Sequence, residues 1–574
     1  MSFFDDASLA FLPSGAAGKD GKAYSIKPTD GTGDFTFSRG SNLTATRIGA
    51  DGLIEKGREN LLLRSNQFDT TWANIGTSPT SGQSGYDGSS DAWLLTKSAA
   101  SARIQQSISV SGVKTISLYA KANASAGVTL RLDGGTNPNA KFDLVNGVLF
   151  ETSGDVVEAK IESVGNGWYR CSMSTDNDAT YLRIYPLDSS GSTAPTSGSI
   201  YIQDAQLEIG LAATDYIESG ATTGKAGLLE DEPRFDYSGG ATCPSLLLEP
   251  SRTNEIIFSE YFGSSEWIKR TSDGTAVPVV TDNYAVSPEG VQNAARVVVT
   301  KPSTDNDFAV INNNNGLVKS AGDKFTLSVY LKATDASQVG KIVDIYTYEI
   351  GGAYRAVKSH ILTNDWVRLD AIGTFIVSTG NVELINIGKA RSSAGGTTLA
   401  NMATDFLVYG AQFEQASYPT SYIPNHSGGS VTRGADSALD FSSSVNNDSF
   451  TFFFEGSFSL ADSAFYDMRV LTAGGNHIGY YKGFVPIYNL GSGQSFYGSS
   501  LAENTNHKVL FMYDGVNAKF YRNGSLYHSV AASGVGTFVD GLVYNTDEEG
   551  LKIKQLLYFP TALSDADCIT LTTL

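Results

Sequence analysis

The sequence predicts an all-β chain of several sandwich domains, one of them written twice. Three observations carry this. First, apolar and polar residues alternate at period two in runs such as "KTISLYAKA", "SIYIQDAQLEI", "KFTLSVYLKA" and "DFLVYGAQFEQ", which are closed by Gly, Asn, Ser or Asp; this is the pattern of half-buried antiparallel strands. Second, long helical periodicity is nearly absent, the exception being a short turn capped by Ser564 in "SDADCITL". Third, "IYIQDAQLEIGLAATDYIESG" (200–220) returns as "FLVYGAQFEQASYPTSYIPNHSG" (406–428) with its skeleton intact.

At 574 residues the chain is too long for one core. Hydrophobic residues make up 41% of it, enough for ordered interiors, and its 28 Tyr and 29 Phe suit sheets. A net charge of −19 without a Lys/Arg run disfavours nucleic acid and anionic membrane surfaces as partners. No apolar run is long enough to span a membrane, and the N-terminal apolar stretch is too short for a secretion signal. Cys171, Cys243 and Cys568 stand singly, which predicts no disulfide scaffold and fits folding in a reducing cytoplasm.

In chain order, residues 1–57 are rich in Gly and Pro and predict an extended arm that orders against neighbouring chains. The duplicated sandwich follows at 58–220 and 252–427. "RENLLLRSNQF" answers to "RTNEIIFSEYF", so that Arg58 and Asn60 match Arg252 and Asn254. Trp72 matches Trp267, and "GNGWYRCSM" matches "TNDWVRLDA", pairing Trp168 with Trp366. These eight repeated residues read as structural: Arg–Asn ties, and tryptophans directed inward as core anchors. Segments 221–251 and 428–445 read as linkers, with Arg39, Arg47, Arg234, Arg252 and Arg433 placed to grip neighbouring carboxylates or carbonyls. Residues 446–574 form a separate β unit, with Asp514-Gly515 and Asn523-Gly524 at hairpin positions.

Ligand-facing aromatics should differ between copies and lie in loops, which selects Tyr86, Tyr354 and Tyr497. No nucleophile elbow, zinc-binding helix, P-loop or dinucleotide fingerprint occurs, and the five histidines lack ligand spacing. The chain therefore reads as non-catalytic and in need of no cofactor. Paired carboxylates for glycoside cleavage stay open, because such pairing is spatial.

"GDFTFSRGSNLTATRIGADGLIE", "PRFDYSGGATCPSLLLEPSRTN" and "YPTSYIPNHSGGSVTRGAD" resemble phage and prophage virion proteins of the head-spike, head-fibre or tail-fibre type. The duplicated unit resembles the jelly roll of carbohydrate-binding modules. The last unit is similar to laminin-G/concanavalin-like lectin domains. The resemblance implies two tandem jelly-roll sandwiches followed by a concanavalin-like sandwich, in a fibre or spike subunit folded in the host bacterial cytoplasm and residing in the virion. It implies capsid or tail proteins as partners, self-association as a homotrimer, and adhesion to cell-surface glycans. A polysaccharide-degrading spike and a purely architectural protein are the alternatives. In such jelly rolls a structural Ca²⁺ joins an acid near the first strand to an Asp on the last, for which the first copy offers Asp69 and Asp204; the second has Gly263 and Gly410 there.

Overall fold

The computed structural model describes residues 3–573 apart from 14–17, 20, 41–42, 315–316, 350–352, 378–380, 440–447, 460–466, 474–475, 482–484, 490–501 and 532–549. The chain is all-β, with multiple sheets in sandwich-like arrangements and, among the described residues, two short α-helices, Phe3–Asp6 and Asp565–Thr572, and one 3-10 turn, Ser392–Ala394. Among the described residues no helix is long and apolar enough to cross a membrane.

The repeat in sequence is a repeat in topology. One sheet of the first copy runs Val156–Gly165, Trp168–Thr175, Lys114–Ala122, Gly198–Ile209, Ala92–Lys97, Thr77–Gln83. Its counterpart in the second runs Val367–Thr374, Lys324–Ala333, Asp405–Glu414, Gln292–Val298, Val279–Val286. The facing sheets correspond in the same way, around Gly127–Asp133 with Ala179–Leu187 and around Ile342–Glu349 with Val382–Lys389. The first copy adds only Val148–Ser153 and Val156–Gly165, one at the edge of each sheet. All pairings named here are antiparallel. Each sandwich closes on its own apolar core, Ile116, Leu118, Leu130, Ile184 and Leu207 in one, Leu327, Val329, Ile345, Ile387 and Phe413 in the other.

What the repeated words do is visible in their hydrogen bonds. Asn60 donates to the carbonyls of Ala205 (3.1 Å) and Ile217 (2.8 Å) and accepts from the amides of Leu62 (3.2 Å) and Leu207 (3.1 Å). Asn254 makes the same four bonds, to Ala411 (3.1 Å), Ile423 (2.9 Å), Ile256 (3.1 Å) and Phe413 (3.1 Å). The Gln and Glu of the repeated phrase hold the loop that follows the last strand. Gln206 accepts from Ile217 N and Glu208 from Thr214 N; Gln412 accepts from Ile423 N and Glu414 from Thr420 N. An asparagine amide supplies two donors and an acceptor oxygen in one plane, so it ties the opening strand to both the last strand and its return loop. Trp72 and Trp267 anchor the cores, their indoles donating to the carbonyls of Arg64 and Phe258.

The remaining sandwich is assembled from segments expected to be arm or linkers. Leu9–Phe11 pairs with Gly550–Phe559, and Ser245–Leu248 pairs with that same long strand. Phe35 and Phe37 are buried in one core with Leu246, Leu248, Phe452, Phe511 and Leu556, and Phe35–Ser38 pairs with Ser437–Leu439. The described strands within residues 1–57 therefore are not an extended arm awaiting other chains: their alternating Phe-Thr-Phe finds its apolar face covered within the same molecule. Segments 221–251 and 428–445 likewise carry strands, Arg234–Asp236, Ser245–Leu248, Val431–Arg433 and Ser437–Leu439.

Three of the arginines singled out from the sequence, Arg39, Arg234 and Arg433, form one buried cluster. Arg234, fully buried, pairs with Glu249 at 2.7 Å and with Asp436. Arg433 reaches Glu249 at 2.9 Å and the Pro250 carbonyl at 2.7 Å; Arg39 reaches Asp436 at 3.4 Å and the Leu229 carbonyl at 2.6 Å. Arg47 pairs with Glu55 nearer the surface. Arg252 donates to the Ser251 carbonyl and lies over the Tyr418 ring.

Candidate functional site

Along Lys114–Ala122, residues 116, 118 and 120 face the core, so Thr115, Ser117, Tyr119 and Lys121 face outward. By the same alternation Trp168 and Arg170 lie on that outer face, while Cys171 and Met173 enter the core. Trp168 is buried, but outside the sandwich core to which it was assigned. It sits against Tyr86 and Tyr201, with centroids 6.4 Å away in both cases. Trp366 is also on the outer face and half-buried, packing with Tyr330, Tyr409, Tyr422, Ile48 and Ile54 and donating to the Val286 carbonyl. The alternation in "GWYRCSM" admits either phase, and the neighbouring Cys and Met win the interior.

These outer faces are equivalent in the two copies. Arg170 donates to Ser117 and Thr214 over the Tyr119 ring, as Arg368 does to Ser328 and Thr420 over Tyr330. Ser65 meets the Tyr216 hydroxyl at 2.6 Å, as Ser259 meets Tyr422 at 2.7 Å. What covers them differs. On the second copy lies the hairpin Thr46–Ile48 with Ile54–Lys56. Its Ile54 is buried against Ala294, Tyr409 and Tyr422, and its Lys56 reaches Glu260 (3.2 Å) and Glu289. Arg58 adds a 2.8 Å bond to Glu289. Burial opposes the ionisation of Glu289, but Lys56 and Arg58 hold it below the usual carboxylate range.

The first copy carries no such cover among the described residues. Its face is a cleft of about 430 Å³ lined by Asn66, Tyr86, Asp87, Asp91, Tyr119, Asp204, Asp215, Tyr216 and Glu218. Tyr86 stacks on Tyr119, centroids 3.7 Å apart and planes within 4°. Its hydroxyl donates to Asp204 at 3.0 Å. Gln203 fastens the loop, accepting from Tyr86 N and donating to Asp91 at 2.9 Å. Burial raises the Asp204 carboxyl, to which the Tyr86 hydroxyl donates in opposition, and the charges of Asp91, Asp87 and Glu218 add to the rise, taking it to about 7.

Two residues selected separately from the sequence, Tyr86 and Asp204, thus meet in one cleft. Asp69 does not line it; it is exposed and accepts from Thr70. The bulge position that holds Asp204, and the absence of acids at both places in the second copy, have local causes. Asp204 and Gly410 occupy the same bulge in the last strand with left-handed backbone, φ 53° and 59°, a conformation Gly, Asn and Asp tolerate best. A side chain at 410 would press on the Tyr422 ring, and one at Gly263 would overlap the Asp282 carboxylate. Among the described residues no group of three or more His, Cys, Asp or Glu is arranged to hold a metal. Tyr354 lies on the other sheet, its ring against Tyr346 and Tyr348 and its hydroxyl accepting from Arg391. Tyr497 lies outside the described residues. Asn66, Asp87, Asp91, Gln203 and Tyr216 were not singled out from the sequence. Aligning "YDGSSDAW" with "PEGVQNAA" places Asp87 on Glu289 and Asp91 on Asn293, and would have found two of them.

A larger cleft, about 860 Å³, runs between the hairpin, the second copy and the last sandwich. Its charged groups are already satisfied: Asp236 by Lys552 at 2.9 Å, Arg47 by Glu55, Arg368 by Thr420. The first-copy cleft has acids that no Lys or Arg pairs with among the described residues and is the stronger candidate.

A carboxyl that keeps its proton to higher pH in the native state than in the unfolded chain stabilises fully below its unfolded value of about 3.8. That contribution drains away as pH rises to about 7. Asp204→Asn is expected to lessen the loss of first-sandwich thermal stability across that window. Parallel pH profiles of variant and parent by calorimetry check this; identical slopes contradict it.

No family model and no curated protein sequence matches the chain. Among solved structures, the chain is similar to the N-terminal CBM22-1–CBM22-2 tandem domain of Paenibacillus barcinonensis Xyn10C at 13% identity, covering 62% of this chain and 97% of that one, with a TM-score of 0.22. It is similar also to a Trypanosoma rangeli sialidase in complex with sialic acid at 10% identity, covering 93% and 97%, with a TM-score of 0.18.

Proposed function

We propose that the chain is a non-catalytic appendage subunit of a bacteriophage virion, of fibre or spike type, that adheres to glycans through the open outer face of its first jelly roll. It joins capsid or tail proteins and copies of itself, as a homotrimer, after folding in the host cytoplasm. Support for the virion setting comes from the segments around the modules, whose wording resembles virion proteins. Support for rigidity comes from the buried arginine cluster that those segments build. The observation that carries adhesion is the difference between equivalent faces: one is sealed by the chain's own hairpin, the other presents stacked Tyr86 and Tyr119 beside acids that no Lys or Arg pairs with among the described residues. Aromatic faces take up sugar C–H faces, and weak sites gain strength through copy number. A glycan array probed with the full chain is expected to give binding that Tyr86→Ala abolishes, without release of reducing sugar. Retained binding by Tyr86→Ala, or no binding by the parent, removes the adhesive reading.

A further inference from the structure

The sealed cradle shows what the open one is shaped to receive. In the second copy Glu260 and Glu289 hold one primary ammonium, Lys56 Nζ, which is 3.2 Å from Glu260 and in contact with Glu289, and the hydroxyls of Tyr409 and Tyr422 donate to the same two carboxylates. The corresponding positions of the first copy are Asn66, Asp87, Gln203 and Tyr216, and its bulge adds Asp204 where the second has glycine. Among the described residues no Lys or Arg side chain pairs with Asp87, Asp91, Asp204 or Glu218, although all four line one cleft.

We propose that the open cleft of the first jelly roll is a receptor for a primary ammonium group supplied from outside the chain. An ammonium offers three donors and is held by a few acceptors rather than a full oxygen shell, and Asn66, Asp87, Asp91 and Asp204 line this cleft. A calcium ion would need six to eight oxygens, and the carboxylates here are not gathered into such a group. The stacked Tyr86–Tyr119 pair forms an apolar wall of the cleft, where in the sealed copy Ile54 packs in one cluster with Tyr330, the counterpart of Tyr119, and the ring faces also attract cations. The amine belongs to an amino sugar, and for that source the inference rests on the adhesive reading; a lysyl side chain is the other source of the same chemistry.

The test is titration of the full chain by NMR or calorimetry with methyl glucosaminide, methyl N-acetylglucosaminide, Nα-acetyl-lysine methylamide and calcium chloride, with Asp87→Asn/Asp91→Asn as the variant. Both aspartates are exposed, so the variant is expected to keep its melting temperature. The expected result is glucosaminide binding at roughly millimolar Kd, at least about tenfold tighter than the N-acetyl form and weakened at least about tenfold in the variant. Equal binding of the two sugars overturns the ammonium site while the adhesive reading stands. Binding of the lysine amide alone upholds the ammonium site and removes the glycan source. Absence of binding by any amine, an unaffected variant, or displacement of the amine by millimolar calcium overturns the proposal.

Discussion

Glu249→Gln is expected to destabilise the seam between the second jelly roll and the last sandwich by about 3–5 kcal/mol, the cost of leaving buried charge unpaired. The cluster holds three guanidiniums, Arg39, Arg234 and Arg433, against two carboxylates, Glu249 and Asp436. Removing Glu249's charge strips Arg433 of its ion partner and Arg234 of one of two. Removing Arg234 instead leaves Arg39 with Asp436 and Arg433 with Glu249, a balanced set. Glu249→Gln should therefore be more damaging than Arg234→Met, the reverse of what counting bonds alone suggests. Burial opposes Glu249's charge, but Arg433 and Arg234 hold its carboxyl far below the ordinary range. Its contribution is thus present above about pH 4.5 and lost as pH falls below that; the variant should lose this acid sensitivity. Thermal unfolding of both variants at neutral and acid pH decides the matter, and equal melting temperatures for the two refute the charge-balance argument.

Asn254→Ala is expected to cost on the order of 4 kcal/mol or more, because four buried backbone groups lose a partner at once and each such loss costs about 1–3 kcal/mol. Asn254 is fully buried, so no water readily replaces it. Asn60→Ala should do the same to the first jelly roll. Calorimetry of the full chain should therefore show each variant lowering a different transition. Asn254→Asp keeps the acceptor but turns a carboxylate toward the Ala411 and Ile423 carbonyls, so it should fare no better than alanine. A shift within error for Asn254→Ala would show that the return loop is held by other contacts.

The all-β class was legible because alternation marks strands wherever one face is buried. The duplication was legible because Arg58–Asn60 and Arg252–Asn254 keep their spacing to the aromatics that follow. Their roles were not equally legible: the asparagines make identical bonds, whereas Arg58 reaches Glu289 and Arg252 stays by Tyr418 and Ser251. Period-two patterning fixes which residues share a face but not which face is inside, and that is where the reading of Trp168 failed. Residues 1–57 misled for a different reason. "LAF" and "DFTFS" are too short to announce strands, and each has a partner hundreds of residues away; "TRIGADGLIEK" is a short local hairpin whose apolar face is covered only by the second jelly roll. The cleft was half visible, since its loop residues are ordinary surface Asp and Asn until the copies are aligned.

The pairing of Leu9–Phe11 with Tyr558, Leu557 and Leu556 has a kinetic corollary. During synthesis both jelly rolls can close while the ribosome is still at work, but the earliest strand must wait on the order of a minute for the latest one to emerge. Through that interval its apolar edge and the Phe35/Phe37 face are bare, so chaperone occupancy on the nascent chain should persist until Gly550–Phe559 has emerged.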